Sequence, residues 1–162
     1  THLIKLRELQ RETGRITEFI PLPYVSMESP MYKRGNARPG PTFREVMLMH
    51  AVSRIALNPY IKNIQASWVK LGKEGALSCL NAGVNDMGGT LMNESISRAA
   101  GSIHGQEFEA KRMEEFIETA ERRPQLRNTL YESIGSEVGN EFAIDLSLSP
   151  MQTFMDSAHP AV

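Results

Sequence analysis

Between Thr17 and Met87 the apolar residues switch repeatedly between a period of two and a period of 3.6, and that alternation restricts the chain to few architectures. In "TEFIPLPYV" β-favouring residues cluster from Thr17 to Leu22, while Pro21 and Pro23 remove ladder donors and keep the strand short. "VMLMHAVSRIAL" is helical: Thr42 and Glu45 stand ahead of it at the spacing of a capping box, and Asn58-Pro59 stops it. In "NIQASWVKLG", Ile64, Ala66 and Trp68 alternate with Gln65, Ser67 and Val69, as in a strand with two unlike faces. The spacing predicts a helix through "EGALSCLNAG" up to Gly83 and a brief strand from Val84 to Met87. An amphipathic helix, "HLIKLRELQRETG", precedes these elements and stops at Gly14, and another at about Phe108 to Arg122 stops before Pro124. Helix and strand alternating in this way point to βα units on a parallel sheet, an α/β fold. Three strands are too few to close a barrel, for which eight is the common number, so the sheet is either small and open or part of something larger.

The totals exclude several classes. A chain of 162 residues with 41% hydrophobic residues suits one soluble domain. No apolar run approaches the roughly 18 residues of a membrane span, and no signal-peptide layout opens the sequence, so a cytoplasmic setting is expected. Cys79 is the only cysteine, which rules out an internal disulfide and any multi-cysteine zinc or iron–sulfur site built from this chain alone. The net charge is −1, but residues 135–162 hold four acids and no Lys or Arg, leaving residues 1–134 at +3. Neither value suggests a nucleic-acid surface. The composition therefore separates residues 1–134, which carry the βα units, from an acidic tail over 135–162. Within the first part, "SMESPMYKRGNARPGP" is a Pro- and Gly-rich loop of a length that is usually functional or mobile.

If the sheet is barrel-like, the C-terminal ends of its strands hold the active site. That rule selects Glu18 in the first strand, Gln65, Ser67 and Lys70 in the second, and Asn85 and Asp86 at the third. Amides, hydroxyls and carboxylates suit hydrogen bonding to a polar heterocycle or sugar better than nucleophilic attack. The alternative is a set of interior polar groups that satisfy one another. Gly88-Gly89-Thr90, ahead of a helix expected from Glu94, has the makings of an anion cradle or, equally, of a tight turn that needs positive φ. No phosphate-loop or dinucleotide fingerprint accompanies it. His104 is a candidate acid–base group or anion donor, whereas His50, inside an apolar helical run, reads as a buried core histidine. The four His residues show no metal-ligand spacing. Trp68, Met47, Met49, Met87 and Met92 read as packing, and Cys79, between Leu77 and Leu80 on a helix, as a buried thiol.

Taken together, "HLIKLRELQRETG", "TEFIPLP", "ARPGPT", "NIQASWVKLG", "GVNDMGGTLMNESISRAAGSIHGQ" and "RRPQLRNTLY" resemble, in order, the C-terminal part of the FO synthase family, specifically its tyrosine-using radical S-adenosylmethionine subunit or half. The resemblance covers nearly everything from Thr1 to Tyr131, and "GGTLMNESISRAAG" separates this group from menaquinone-pathway relatives. It implies a TIM-like barrel of which this chain supplies strands six to eight, with the tail unmatched. It also implies a 4Fe–4S cluster on a C-x₃-C-x₂-C motif and S-adenosylmethionine, both held by a preceding half-barrel and neither bound by this chain alone. The implied reaction forms a 5′-deoxyadenosyl radical that abstracts hydrogen from L-tyrosine, after which the 4-hydroxybenzyl group joins 5-amino-6-ribitylaminouracil. Gln65, Ser67, Asn85, Asp86 and Thr90 are then the expected substrate contacts, with Glu18, Glu94 and His104 beside them. The isolated chain is expected to be inactive and, with open strand edges, to self-associate or to pair with its missing half. Two other functions fit the same residues: a non-catalytic partial-barrel interaction module, and a piece of a menaquinone-pathway radical enzyme acting on futalosine-like compounds.

Overall fold

The computed structural model describes residues 1–91, 95–104 and 107–134. Its elements are α1 (His2–Thr13), β1 (Glu18–Phe19), α2 (Pro30–Lys33), α3 (Phe43–Leu57), β2 (Asn63–Ile64), α4 (Trp68–Leu80), α5 (Ile96–Ala99) and α6 (Ala110–Glu118). β1 and β2 pair in parallel with Glu18 opposite Asn63 and Phe19 opposite Ile64. A parallel bridge between Gln65 and Asp86 adds a third strand segment beside β2. Beyond the named strands, ladder bonds run from Gln65 N–H to the Phe19 carbonyl at 3.0 Å, from Ala66 N–H to the Asp86 carbonyl at 2.9 Å and from Asn85 N–H to the Ile64 carbonyl at 3.1 Å. The chain is thus a small α/β unit with α3 and α4 as its crossover helices.

Local chemistry accounts for most of the boundaries. α1 stops where Gly14 turns left-handed (φ 62°) and its N–H caps the Gln10 carbonyl. α3 starts on a reciprocal capping box, in which the Thr42 hydroxyl accepts from Glu45 N–H and the Glu45 carboxylate accepts from Thr42 N–H. The second strand is shorter than its alternating pattern predicts. Ala66 makes the last ladder bond, Ser67 is the N-cap of α4, and Trp68, Val69 and Lys70 stand in that helix and not in a strand. The period of two carried past Ser67 because Trp68 is buried in either geometry; its ring meets Phe108 edge-on at 5.3 Å. Gly72 interrupts α4 at φ 72°, ψ 170°, a region open essentially to glycine alone. The 26–41 loop contains the short α2, the expected third strand is reduced to its bridge, and α6 ends at Glu118 rather than Arg122. The helix expected from Glu94 begins, among the described residues, at Ile96; Glu94, Met92 and the tail lie outside them.

The core lies between the helices and one face of the strands. Leu57, Ile61, Ile64, Ala66, Ala76 and Cys79 are at most 1% exposed, and Phe19 packs against them. Strand alternation sends Glu18, Asn63, Gln65 and Asp86 to the other face. Met87 is buried and Met47 packs against the core, whereas Met49 is half-exposed.

His50 is buried, with Nδ1 donating to the Val46 carbonyl at 2.8 Å and Nε2 without a partner. Burial holds its pKa below the ordinary value near 6.5, against the pull of its hydrogen bond to the Val46 carbonyl. As pH falls through 6.5 the unfolded chain takes a proton that folded His50 refuses, so stability falls. The melting temperature should drop between pH 7.5 and pH 5.5, and His50→Leu should flatten that slope. Thr42→Ala should lower stability by about 1 kcal/mol in denaturant melts, the usual loss for a capping hydroxyl.

Candidate substrate site at the strand ends

The polar face of the strands carries a closed set of charges. Asp86, with 6% of its side chain exposed, takes Arg127 Nε on Oδ2 at 2.6 Å, and Arg127 Nη2 also stands 3.8 Å from Glu18 Oε2. The Tyr131 hydroxyl donates to the same Glu18 oxygen, and its ring lies 4.0 Å from the guanidinium carbon. Burial, reinforced by the Glu18 hydrogen bond, pushes the Tyr131 phenol well above its ordinary value, so it stays protonated as the donor. An antiparallel bridge between Arg127 and Ser133 shapes the segment that brings both side chains over β1 and the third strand. No period in "RRPQLRNTLY" marks Arg127 or Tyr131 as site residues; the signal lay only in that block's family resemblance.

Beside this cluster is an open cleft of about 210 Å³ lined by Gln65, Ser67, Trp68, Met87, Gly88 and Gly89, among others. The other Asp86 oxygen, Oδ1, accepts from Gly88 N–H at 2.5 Å. That fixes Gly88 at φ 75°, close enough to Gln65 that a Cβ there would lie 2.6 Å from Nε2. Trp68 Nε1 donates to the Gly89 carbonyl at 3.1 Å. The Gly-Gly turn is therefore tied at both residues to the cleft wall, and the Gly88 N–H of the expected anion cradle already serves Asp86.

The structure brings together Glu18, Gln65, Ser67 and Asp86, either on the cleft or in the ion cluster next to it. It places Asn85 differently. Asn85 Oδ1 accepts from Ile64 N–H at 2.9 Å and from Arg54 Nη2 at 2.6 Å, while Arg54 also reaches the Gly83 and Lys62 carbonyls, both at 2.6 Å. This staple ties α3 to the starts of two strands. Thr90 is exposed just beyond the cleft, and exposed His104 lays its ring against Gly72 at the α4 kink. Lys70, in the first turn of α4, donates to Ser97 Oγ at 3.1 Å. Glu94 lies outside the described residues.

The donor set does not fit an iron–sulfur cluster. Cys79 is fully buried, with Sγ 3.9 Å from Met47 Sδ, and burial pushes its thiol up to about 11. Among the described residues no three His, Cys, Asp or Glu side chains stand together to hold a metal ion, and no helix is long and apolar enough to cross a membrane.

A small parallel α/β unit with an open cleft at its strand ends is the class of architecture that these residues define. Within that class, the chain belongs to the family described as CofH/MqnC C-terminal region, whose model matches residues 13–138. It is 49% identical over 133 residues to the 5-amino-6-(D-ribitylamino)uracil–L-tyrosine 4-hydroxyphenyl transferase of Methanopyrus kandleri, covering 82% of this chain and 36% of that protein. To the FO synthase of Streptomyces coelicolor it is 47% identical over 136 residues, covering 84% of this chain and 16% of that protein. To the FO synthase of Mycobacterium leprae the identity is 51% over 133 residues, covering 80% and 15%. The chain thus spans about a third of the curated transferase it matches and about a sixth of the FO synthases.

Removing Arg127 leaves the Asp86 carboxylate buried without its partner. Because the guanidinium is 28% exposed, the loss in Arg127→Ala should be about 2 kcal/mol, below the range for fully buried pairs. A double-mutant cycle with Asp86→Asn, read by denaturant melts, should return most of that figure as coupling.

Proposed function

We propose that this chain is the C-terminal region of an FO-synthase-type enzyme, one that joins the 4-hydroxybenzyl group of L-tyrosine to 5-amino-6-ribitylaminouracil. In this reading residues 1–134 supply the sixth to eighth strands of a radical S-adenosylmethionine barrel, and residues 135–162 form a C-terminal tail. S-adenosylmethionine and the 4Fe–4S cluster are held by residues outside this sequence, and the chain alone does not turn over. The single observation that carries the reading is the gathering of Glu18, Gln65 and Asp86 on one face of three parallel strand segments, beside a cleft. Parallel sheets are normally covered on both faces, and this polar face is the one a closed barrel turns inward. Near-half identity to proteins named as transferases and FO synthases favours this substrate pair over futalosine-like compounds.

In this reading the residues of the chain bind and orient. Gln65, Ser67 and the Gly88-Gly89 backbone offer neutral hydrogen-bonding groups, and the Arg127 cluster holds the Gly-Gly turn in place through Asp86. Glu18 and Asp86 are engaged by Arg127 and Tyr131 and hold the wall rather than move protons.

The test is a chimera in which residues 13–134 replace the matching segment of the Methanopyrus kandleri transferase, purified anaerobically with iron counted on the same sample. Coupling of L-tyrosine to the aminouracil by an iron-loaded chimera is the expected result. An iron-loaded chimera that binds S-adenosylmethionine and makes no coupled product overturns the reading. The isolated chain should run above the mass of one copy in light scattering, because β1 has an open edge and Leu48, Val52 and Ile55 are exposed along α3. A monodisperse monomer would contradict that.

A further inference from the structure

Of the two substrates in the proposed reaction, one is a zwitterion and the other a neutral heterocycle with a polyol chain. Among the described residues, none that lines the cleft is ionisable. In the cluster beside it, Asp86 is ion-paired to Arg127 at 2.6 Å and Glu18 stands 3.8 Å from the same guanidinium. Among the described lining residues an amino acid finds no counter-ion for its ammonium or its carboxylate, and burying either unpaired is costly.

What the cleft does offer is amide chemistry. The Gln65 carboxamide lies over Gly88, and Ser67, although it is the N-cap of α4, caps no backbone N–H with its hydroxyl. Among the described residues neither side chain has a hydrogen-bond partner, so both remain available to a ligand. A carboxamide presents one donor and one acceptor side by side, the complement of the alternating N–H and C=O of a cyclic ureide. Met87 and Leu91 add apolar surface for a ring face. The volume, about 210 Å³, lies below the roughly 300 Å³ at which pockets for drug-sized ligands begin, so it suits one ring with the remainder of the ligand along the open side.

We propose that this cleft is the pyrimidinedione subsite: Gln65 pairs with the ureide edge of the aminouracil, Ser67 takes a hydroxyl of its polyol chain, and L-tyrosine binds elsewhere. The assignment rests on the proposed function and goes beyond it by dividing the two substrates. It also gives Gly88 a second duty, since any side chain there displaces the Gln65 carboxamide.

The experiment is nuclear magnetic resonance on the ¹⁵N-labelled 162-residue chain, following the Gln65 side-chain amide, the Gly88 and Gly89 amides and the Trp68 indole. Titration with 5-amino-6-ribitylaminouracil should shift these signals, and L-tyrosine at the same concentrations should not. Gln65→Leu should weaken the aminouracil response about tenfold or more, as expected for one lost amide pairing, and Gly88→Ala should do the same with Gln65 intact. An unchanged dispersion of the other amides shows that each variant is folded. Shifts with L-tyrosine instead, shifts with neither compound, or an undiminished response in folded Gln65→Leu would overturn the assignment. The two readings fail separately. A chimera that couples the substrates while the cleft answers only to L-tyrosine keeps the function and refutes the subsite, and an inactive iron-loaded chimera with a uracil-responsive cleft does the reverse.

Discussion

Asp86 joins three parts of the molecule that share no sequence neighbourhood. Its carbonyl takes the Ala66 N–H and so places the third strand segment beside β2. One carboxylate oxygen holds the Gly88 turn and the other holds Arg127, 41 residues away along the chain. A carboxylate this buried is stable only while both oxygens are engaged, so the turn and the C-terminal segment depend on each other through it. Arg127 extends the tie to Glu18 at β1, and Tyr131 closes it over the guanidinium. The sheet has only a handful of ladder bonds, and side chains on its polar face complete the cross-links that its backbone lacks.

The two faces of the sheet are held by different physics. On the helix side Ile64, Ala66 and Phe19 join a core with Leu57, Trp68 and Phe108, where burial of apolar surface dominates and geometry is forgiving. On the other side the groups are directional, and each bond fixes the aim of the next. The result is a wall whose shape is set before any ligand arrives: Gly88 is pinned by Asp86, Gly89 by Trp68, and Gln65 lies against Gly88. Groups pre-positioned in this way would lose little conformational freedom on meeting a ligand.

What could be read from the sequence follows the same division. Thr42 with Glu45, Gly14 and the helical periods announce local contacts, and those elements stand where the pattern put them. Gln65, Ser67, Glu18 and Asp86 could be selected because strand ends gather polar groups in parallel α/β folds, a rule that needs only the approximate position of each strand. Trp68 defeated the pattern because a residue that continues a period of two is also a good first residue for a buried helical turn. Asn85 looked like a strand-end donor, yet it faces Arg54, a contact 31 residues away that no local signal encodes. Arg127 and Tyr131 escaped for the same reason, since Tyr131 meets Glu18 across 113 residues. A resemblance could mark their segment, but only the fold says what it touches.

Arg127 also tempers the negative charge that Glu18 and Asp86 place beside the cleft. Had Arg127 been absent, two carboxylates would face the same side of a narrow sheet and would attract any ammonium group, including that of an amino acid. With the guanidinium between them the cluster keeps a net charge of −1, one guanidinium against two carboxylates, half of what the carboxylates alone would present, and the groups that the described lining leaves to a ligand are an amide, a hydroxyl and backbone. Such groups select by unsatisfied hydrogen bonds rather than by charge: a ligand that cannot meet the Gln65 donor and acceptor together leaves one of them buried and unpaired. On this argument Arg127 weakens, without lining the cleft, the pull that its two carboxylate neighbours would exert on a cation.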